Sequence, residues 1–176
     1  MLNRLKVLNK LNTKITVNEY LVKRLTHDGI YTGFGSNKYC NYSPFYGFIK
    51  DNLEFTVVFD NNNEFLLPYY AGSYYKNTGK TGIMFTSSRY GYGNLIKGIK
   101  KANYECLPLL LISFYNITEE LKISQENVFK KRSWVINPDK FPYILENSLW
   151  SANTGKKGVT HISIANNILN EKISYF

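Results

Sequence analysis

Few side chains in this sequence could do chemistry unaided. Its two cysteines, Cys40 and Cys106, lack the CxxC spacing of a metal cage or redox pair and read as free, reduced packing residues. His27 falls near a helix end, where the dipole favours a cation. His161 falls in the final strand, where packing and hydrogen bonding are expected before catalysis. No Ser/His/Asp set and no metal-ligating cluster can be assembled from the spacing, so no metal site is expected. Two tyrosine groups, Tyr69, Tyr70, Tyr74 and Tyr75, then Tyr90 and Tyr92, could stack on a ligand beside nearby lysines. Packing at an oligomer interface is the plainer role. Glu64 opens a helical stretch just past an apolar run. There it is either an ordinary first-turn acid favoured by the helix dipole or a carboxyl whose hydrogen bond is strengthened by exclusion of water.

The elements that must position these groups alternate. Val17 to Asp28 carries apolar residues on one helical face, with Thr16 and Glu19 spaced as a capping box, and Gly29 stops it. Ile30 to Phe34 reads as a short strand and Pro44 to Asp51 as a helix. Phe55 to Phe59 (FTVVF) is the kind of continuous apolar run found in strands buried on both faces. Glu64 to Lys76 is helical in length, Gly82 to Phe85 is a strand, and Leu95 to Asn103 a helix. Leu107 to Ile112 is a further strand, near whose start Pro108 is acceptable if its missing amide faces no neighbour. Asn116 to Lys131 is a polar surface loop; Ser133 to Ile136, Lys140 to Ala152 and Val159 to Ile164 close the chain as strand, helix, strand. This alternation predicts an α/β domain: a doubly wound, mainly parallel sheet of about six strands with helices on both faces and ligands beyond the carboxyl ends of the strands. A basic leader, 1–15, is expected to precede a single domain, 16–176.

With 176 residues, 44% of them hydrophobic, the chain can bury one core and is too short for two ordinary domains. No run of apolar residues is long enough to span a membrane and the start is broken by Lys, Arg and Asn, so a soluble, intracellular (cytoplasmic) protein is expected. The net charge of +9 would favour nucleic acid, another polyanion or an acidic partner. The lysines are scattered, however, in short groups at Lys97, Lys100 and Lys101, at Lys130 to Arg132, and at Lys156 and Lys157. A solvated face is the simpler reading.

One stretch carries more. Ala71-Gly72-Ser73-Tyr74-Tyr75-Lys76-Asn77-Thr78-Gly79-Lys80, followed by Gly82 to Pro108, resembles the middle of the pyrimidine-binding (Pyr) domain of thiamine-diphosphate enzymes of the acetolactate-synthase and 2-oxo-acid-decarboxylase type. Ser87 to Asn94 matches that family's TSGPGATN stretch without a gap, and Leu107-Pro108-Leu109-Leu110 falls in register with its VPLL strand. Val17 to Gly35 resembles the family's opening helix and strand, and Pro138 to Ala165 its closing helix and strand, so the likeness covers nearly the whole chain.

The resemblance implies a role for Glu64, which stands fourteen residues before Thr78, where the family keeps its catalytic glutamate. That carboxyl hydrogen-bonds the aminopyrimidine ring of thiamine diphosphate and helps activate the cofactor, which does the chemistry on a 2-oxo acid. Gly35, Ser36, Ser88, Arg89, Gly91 and Asn94 would lie on the cofactor side. The family's GDG motif and its magnesium-binding Asn, which hold the diphosphate, are absent from this sequence. Cofactor and magnesium would therefore be bound only with a diphosphate-binding domain, as in sulfopyruvate-decarboxylase-like enzymes with separate subunits, and none is expected on this chain alone. Several positions depart from the pattern. Phe65, Leu66, Leu67, Pro68, Tyr69 and Tyr70 stand where small residues are usual and should change the packing. Arg89-Tyr90-Gly91 replaces GPG, Ser36-Asn37-Lys38 replaces a PGG-type loop, and Asn63 replaces a common His. The reading is a degenerate, oligomerising binding or scaffold protein, with half of a split decarboxylase or synthase as the alternative. Because the family packs the helices after the glutamate and after the GPG loop against a second copy, a homodimer is expected.

Overall fold

The computed structural model describes residues 14–36, 43–60, 63–87, 92–116 and 128–174. In chain order these form β1 (Lys14–Thr16), α1 (Val17–His27), β2 (Thr32–Gly35), α2 (Pro44–Lys50), β3 (Thr56–Phe59), a 3-10 turn (Glu64–Leu66), α3 (Leu67–Thr78), β4 (Gly82–Ser87), α4 (Tyr92–Tyr104), β5 (Leu109–Tyr115), β6 (Lys131–Val135), α5 (Phe141–Asn153), β7 (Val159–Ala165) and β8 (Lys172–Ser174). Six strands make one parallel sheet in the order β3-β2-β4-β5-β7-β6. This is the doubly wound α/β architecture expected from the alternation.

Each face of the sheet has its own core. On one side α1, α2 and α5 bury Leu21, Leu25, Phe45, Phe141 and Leu145 against the sheet. Phe45 stacks on Phe85 and Phe114, with ring centroids 4.8 and 5.1 Å away. Each such pair contributes about 0.5–1.5 kcal/mol beyond the area it buries. On the other side α3 and α4 bury Leu67, Ala71, Leu95, Ile99 and Ala102 against Met84, Leu109, Leu111 and Val159. The fit of α3 to the sheet depends on small residues. A Cβ on Gly82 would stand 2.3 Å from the Ala71 carbonyl oxygen, and one on Gly98 would meet the Pro68 ring at 2.8 Å.

The capping box is present. Thr16 Oγ1 accepts from the Glu19 amide at 3.2 Å, and the Glu19 carboxylate accepts from the Thr16 amide at 2.7 Å. At the other end of α1, Arg24 donates through Nε and Nη2 to the Glu146 carboxylate of α5, and Nη1 pairs with Asp28. The guanidinium therefore ties the two helices on this face.

Three expectations are corrected. FTVVF is not buried on both faces: β3 is an edge strand, with Thr56 and Val58 exposed and only Val57 buried on the core side. The bulk of Phe65 to Tyr70 does not disturb the packing, because Phe65, Tyr69 and Tyr70 turn outward at 49%, 39% and 37% exposure while Leu67 and Pro68 enter the core. Lys14 and Ile15, assigned to the leader, lie in β1, which pairs antiparallel with β8 in a two-stranded ribbon that sequence reading did not foresee. Pro108 precedes β5 with no ladder amide to supply, and its carbonyl accepts from the Gly82 amide. Among the described residues no helix is long and apolar enough to cross a membrane.

Candidate functional site at the carboxyl ends of the strands

The strand order reverses direction between β2 and β4. From β2 the chain moves outward to β3 and then crosses back to β4, leaving a crevice beyond the carboxyl ends of β2 and β4. In an open parallel sheet that crevice is where ligands bind. Gly35 and Ser36 end β2, Thr86 and Ser87 end β4, and the connection after β3 carries Glu64. Asn94, in the first turn of α4, belongs to the helix against which the Glu64–Leu66 turn packs. Gly35, Ser36, Glu64 and Asn94 thus share one end of the sheet. Ser88, Arg89 and Gly91 lie outside the described residues, as does Cys40.

Glu64 is only 5% exposed, although it sits in the first turn of a helical segment, where an acid held by the dipole alone would face water. Its neighbours hold it there. The Asp60 carboxylate accepts from the Asn63 amide at 3.1 Å and from the Tyr70 hydroxyl at 2.9 Å, and the Asn63 carbonyl accepts from the Leu66 amide at 2.9 Å. This bond to Asp60 raises the Tyr70 pKa. The Asp60 amide donates to the Gly35 carbonyl, so the same residue joins the β3 connection to the end of β2. Sequence reading singled out Tyr70 only as a ring that could stack or pack, and missed Asp60 as its partner. Their ten-residue separation carries no periodic signal, and only the fold brings them together.

Gly35 is accounted for by packing. A Cβ there would meet Val57 Cγ1 at 3.2 Å and Phe59 Cε1 at 3.3 Å. Ser36 is different: it is fully buried, and its hydroxyl finds no hydrogen-bond partner among the described residues. A buried hydroxyl left this way costs free energy that a bound polar group would recover. Asn94 is exposed, as is Asn63, so the side chain in place of the common His faces solvent beside a buried carboxyl.

The remaining candidates are placed away from this end or given structural work. His161 is buried in β7, with Nε2 2.9 Å from Ser113 Oγ and 3.3 Å from Ser163 Oγ, and Phe129 stacks on its ring. Burial, and secondarily Arg132, holds its pKa well below the usual range, so it is a neutral, hydrogen-bonded core residue. His27 is exposed in the last turn of α1. Cys106 is free and exposed just past α4, and among the described residues no group of His, Cys, Asp and Glu could hold a metal.

Comparison with known proteins gives a family and a fold. Residues 15–133 match the model of the thiamine pyrophosphate enzyme N-terminal TPP-binding domain. The chain belongs to that family. An acetolactate synthase large subunit of Buchnera aphidicola subsp. Schizaphis graminum is 28% identical to this chain over 115 residues, which are 60% of the chain and 20% of that protein. The corresponding subunit from the Acyrthosiphon pisum subspecies is 27% identical over the same share. The fold matches the thiamine diphosphate-dependent 4-hydroxybenzoylformate decarboxylase of Rhodococcus jostii RHA1 with a TM-score of 0.80 at 19% identity, over 90% of this chain and 32% of that one. The chain thus spans about a fifth of the length of the curated relatives it matches.

Proposed function

We propose that this domain supplies the pyrimidine half of a thiamine-diphosphate site, with Glu64 as the carboxyl that engages the aminopyrimidine ring. The observation that carries this reading is the burial of Glu64 beside the crevice where the strand order reverses. When bound, the cofactor supplies an electron sink for bond cleavage or formation next to a 2-oxo acid carbonyl. Glu64 would hold a proton at the ring nitrogen, in a place where exclusion of water strengthens the bond. Ser36 would offer its buried hydroxyl to the ligand, and Asp60 with Tyr70 would fix the turn from which Glu64 projects. Diphosphate and magnesium fall to a diphosphate-binding domain, in this chain or another. Together they would form an intracellular 2-oxo-acid decarboxylase or synthase.

The same reading includes a twofold dimer through α3 and α4. A second, non-catalytic role as an oligomerising scaffold is favoured by the exposed aromatic rings of Phe65, in the turn before α3, and of Tyr69 and Tyr70 on α3 itself. Calorimetric titration of thiamine diphosphate and magnesium into the protein, with and without a candidate diphosphate-binding partner, separates the two. The half-site reading expects binding only with the partner, with turnover lost in Glu64→Gln. A complex that binds cofactor and turns over equally well with Glu64→Gln would end it. A dimer that never binds cofactor leaves the scaffold role.

A further inference from the structure

The opposite end of the sheet carries a second concavity, unrelated to the Glu64 crevice. It lies between the end of α4, residues 128–130 leading into β6, and the turn leading into β7, and encloses about 380 Å³. That is within the range of small-molecule sites. Three lysines, Lys130, Lys156 and Lys157, line it, with no carboxylate among the described lining residues. On its rim Tyr104 is 87% exposed, a large ring that packs on little of its own protein.

The basin has a built floor. The Asn103 carboxamide accepts from the Val159 amide at 2.7 Å and donates to the Val128 carbonyl, joining α4 to both incoming segments. Gly158 leaves room for it, since a Cβ there would lie 2.8 Å from Asn103 Oδ1. Two of the ammonium groups are held in place. Lys157 donates to the Tyr75 hydroxyl at 2.9 Å and lies 5.4 Å from the centre of its ring, while Lys130 donates to the Thr154 carbonyl. Each bond uses one of three donors, so both groups can still bind an anion, and a pre-ordered lysine loses less entropy when it does.

Fixed positive charge beside an exposed aromatic ring matches an anion covalently joined to a planar base. We infer that this basin is a nucleotidyl-binding site, with phosphate held by Lys130, Lys156 and Lys157 and the base stacked on Tyr104. The ligand is either a free nucleotide or a unit of single-stranded nucleic acid, whose general recognition combines these two elements. The net charge of +9 draws either one in but does not by itself make a site.

The test uses the whole chain with two probes, AMP by calorimetry and a fluorescein-labelled oligo(dT) single strand by anisotropy, at low and moderate salt. The variants are Tyr104→Ala, which leaves the charge unchanged, Lys156→Gln, and Lys50→Gln as a charge-matched change at the exposed end of α2. We expect binding of at least one probe, weakened roughly 5- to 100-fold by Tyr104→Ala. Lys156→Gln should also weaken it, and Lys50→Gln should leave it unchanged. Binding of AMP with this pattern assigns the site to a free nucleotide, and binding of the strand alone to single-stranded nucleic acid. The inference is overturned if neither probe binds, or if Tyr104→Ala has no effect and the two lysine variants weaken binding equally.

Discussion

Gly82→Ala tests how tightly α3 is seated on the sheet, and with it the placement of the turn that bears Glu64. The new Cβ would lie 2.3 Å from the Ala71 carbonyl oxygen, 2.8 Å from its carbonyl carbon and 2.8 Å from Leu109 Cδ2. Two of the three atoms are backbone, so no rotamer change relieves the clash. Even reaching 3.0 Å, the closest approach real Cβ atoms show, requires α3 to withdraw by roughly 0.7 Å, and a gap of that size forfeits a quarter to a half of the dispersion energy across the interface. A buried leucine such as Leu67 then loses on the order of 1–2 kcal/mol. With the local strain of overpacking, the total is about 3 kcal/mol. For a domain of this size that lowers Tm by roughly 6–12 °C. Gly79→Ala is the control. Gly79 has φ of +71° at the end of α3 and nothing within 4 Å of its absent Cβ, so the cost there is only the left-handed backbone, about 1–2 kcal/mol. Thermal melts and urea titrations of both variants decide the matter. A Gly82→Ala protein that melts within 2 °C of the parent, or above Gly79→Ala, would refute the seating argument.

Three further outcomes are expected. His161 is kept neutral in the native state, while the unfolded chain takes up a proton below about pH 6.5, so stability is full above that pH and falls as pH drops through it. Urea midpoints at about pH 7.5 and 5.5 should show this loss in the parent and lack it in His161→Gln, and an equal loss in both would exclude His161 as its source. Arg24→Met removes the link between α1 and α5, and with the guanidinium partly exposed the cost should be about 1–2 kcal/mol by urea titration. A change under about 0.3 kcal/mol would make the pair ornamental. Thr16→Ala removes the N-cap of α1 and should cost about 1 kcal/mol, against a few tenths for Thr16→Ser; equal losses would show that the hydroxyl is not the cap.

What the sequence revealed was local or already patterned. Thr16 and Glu19 announce their cap because both partners lie within four residues. The apolar stretches of β4 and β5 announce central strands because most residues buried on two faces are apolar, whereas β7 is equally buried but carries Thr160, His161 and Ser163, which pair with one another and with β5. The same rule misread β3, whose Val58 is exposed, since an edge strand can be as apolar as a central one. Glu64 was legible through its register with Thr78, but its burial was not. The outward turn of Phe65, Tyr69 and Tyr70 depends on where the 3-10 turn gives way to α-helix, at Leu66 and Leu67, because the rotation per residue changes there and resets which side chains face the core. The clasp of Asp60 by Tyr70 and the pairing of β1 with β8 require contacts between segments that no window along the chain contains.

The β1–β8 ribbon bears on how such a domain travels between proteins. Lys14 lies opposite Ser174 and Thr16 opposite Lys172, so the two ends of the described domain run side by side in a ribbon separate from the six-stranded sheet. A unit whose two ends meet in this way can be spliced into or out of a larger polypeptide as a cassette, because the flanking chain closes over it with little rearrangement. The ribbon also works as a clasp. Buried Ile15 and Ile173 keep the two ends together whatever is fused beyond them, so new neighbours can be acquired without loosening the strands that hold Glu64 in place.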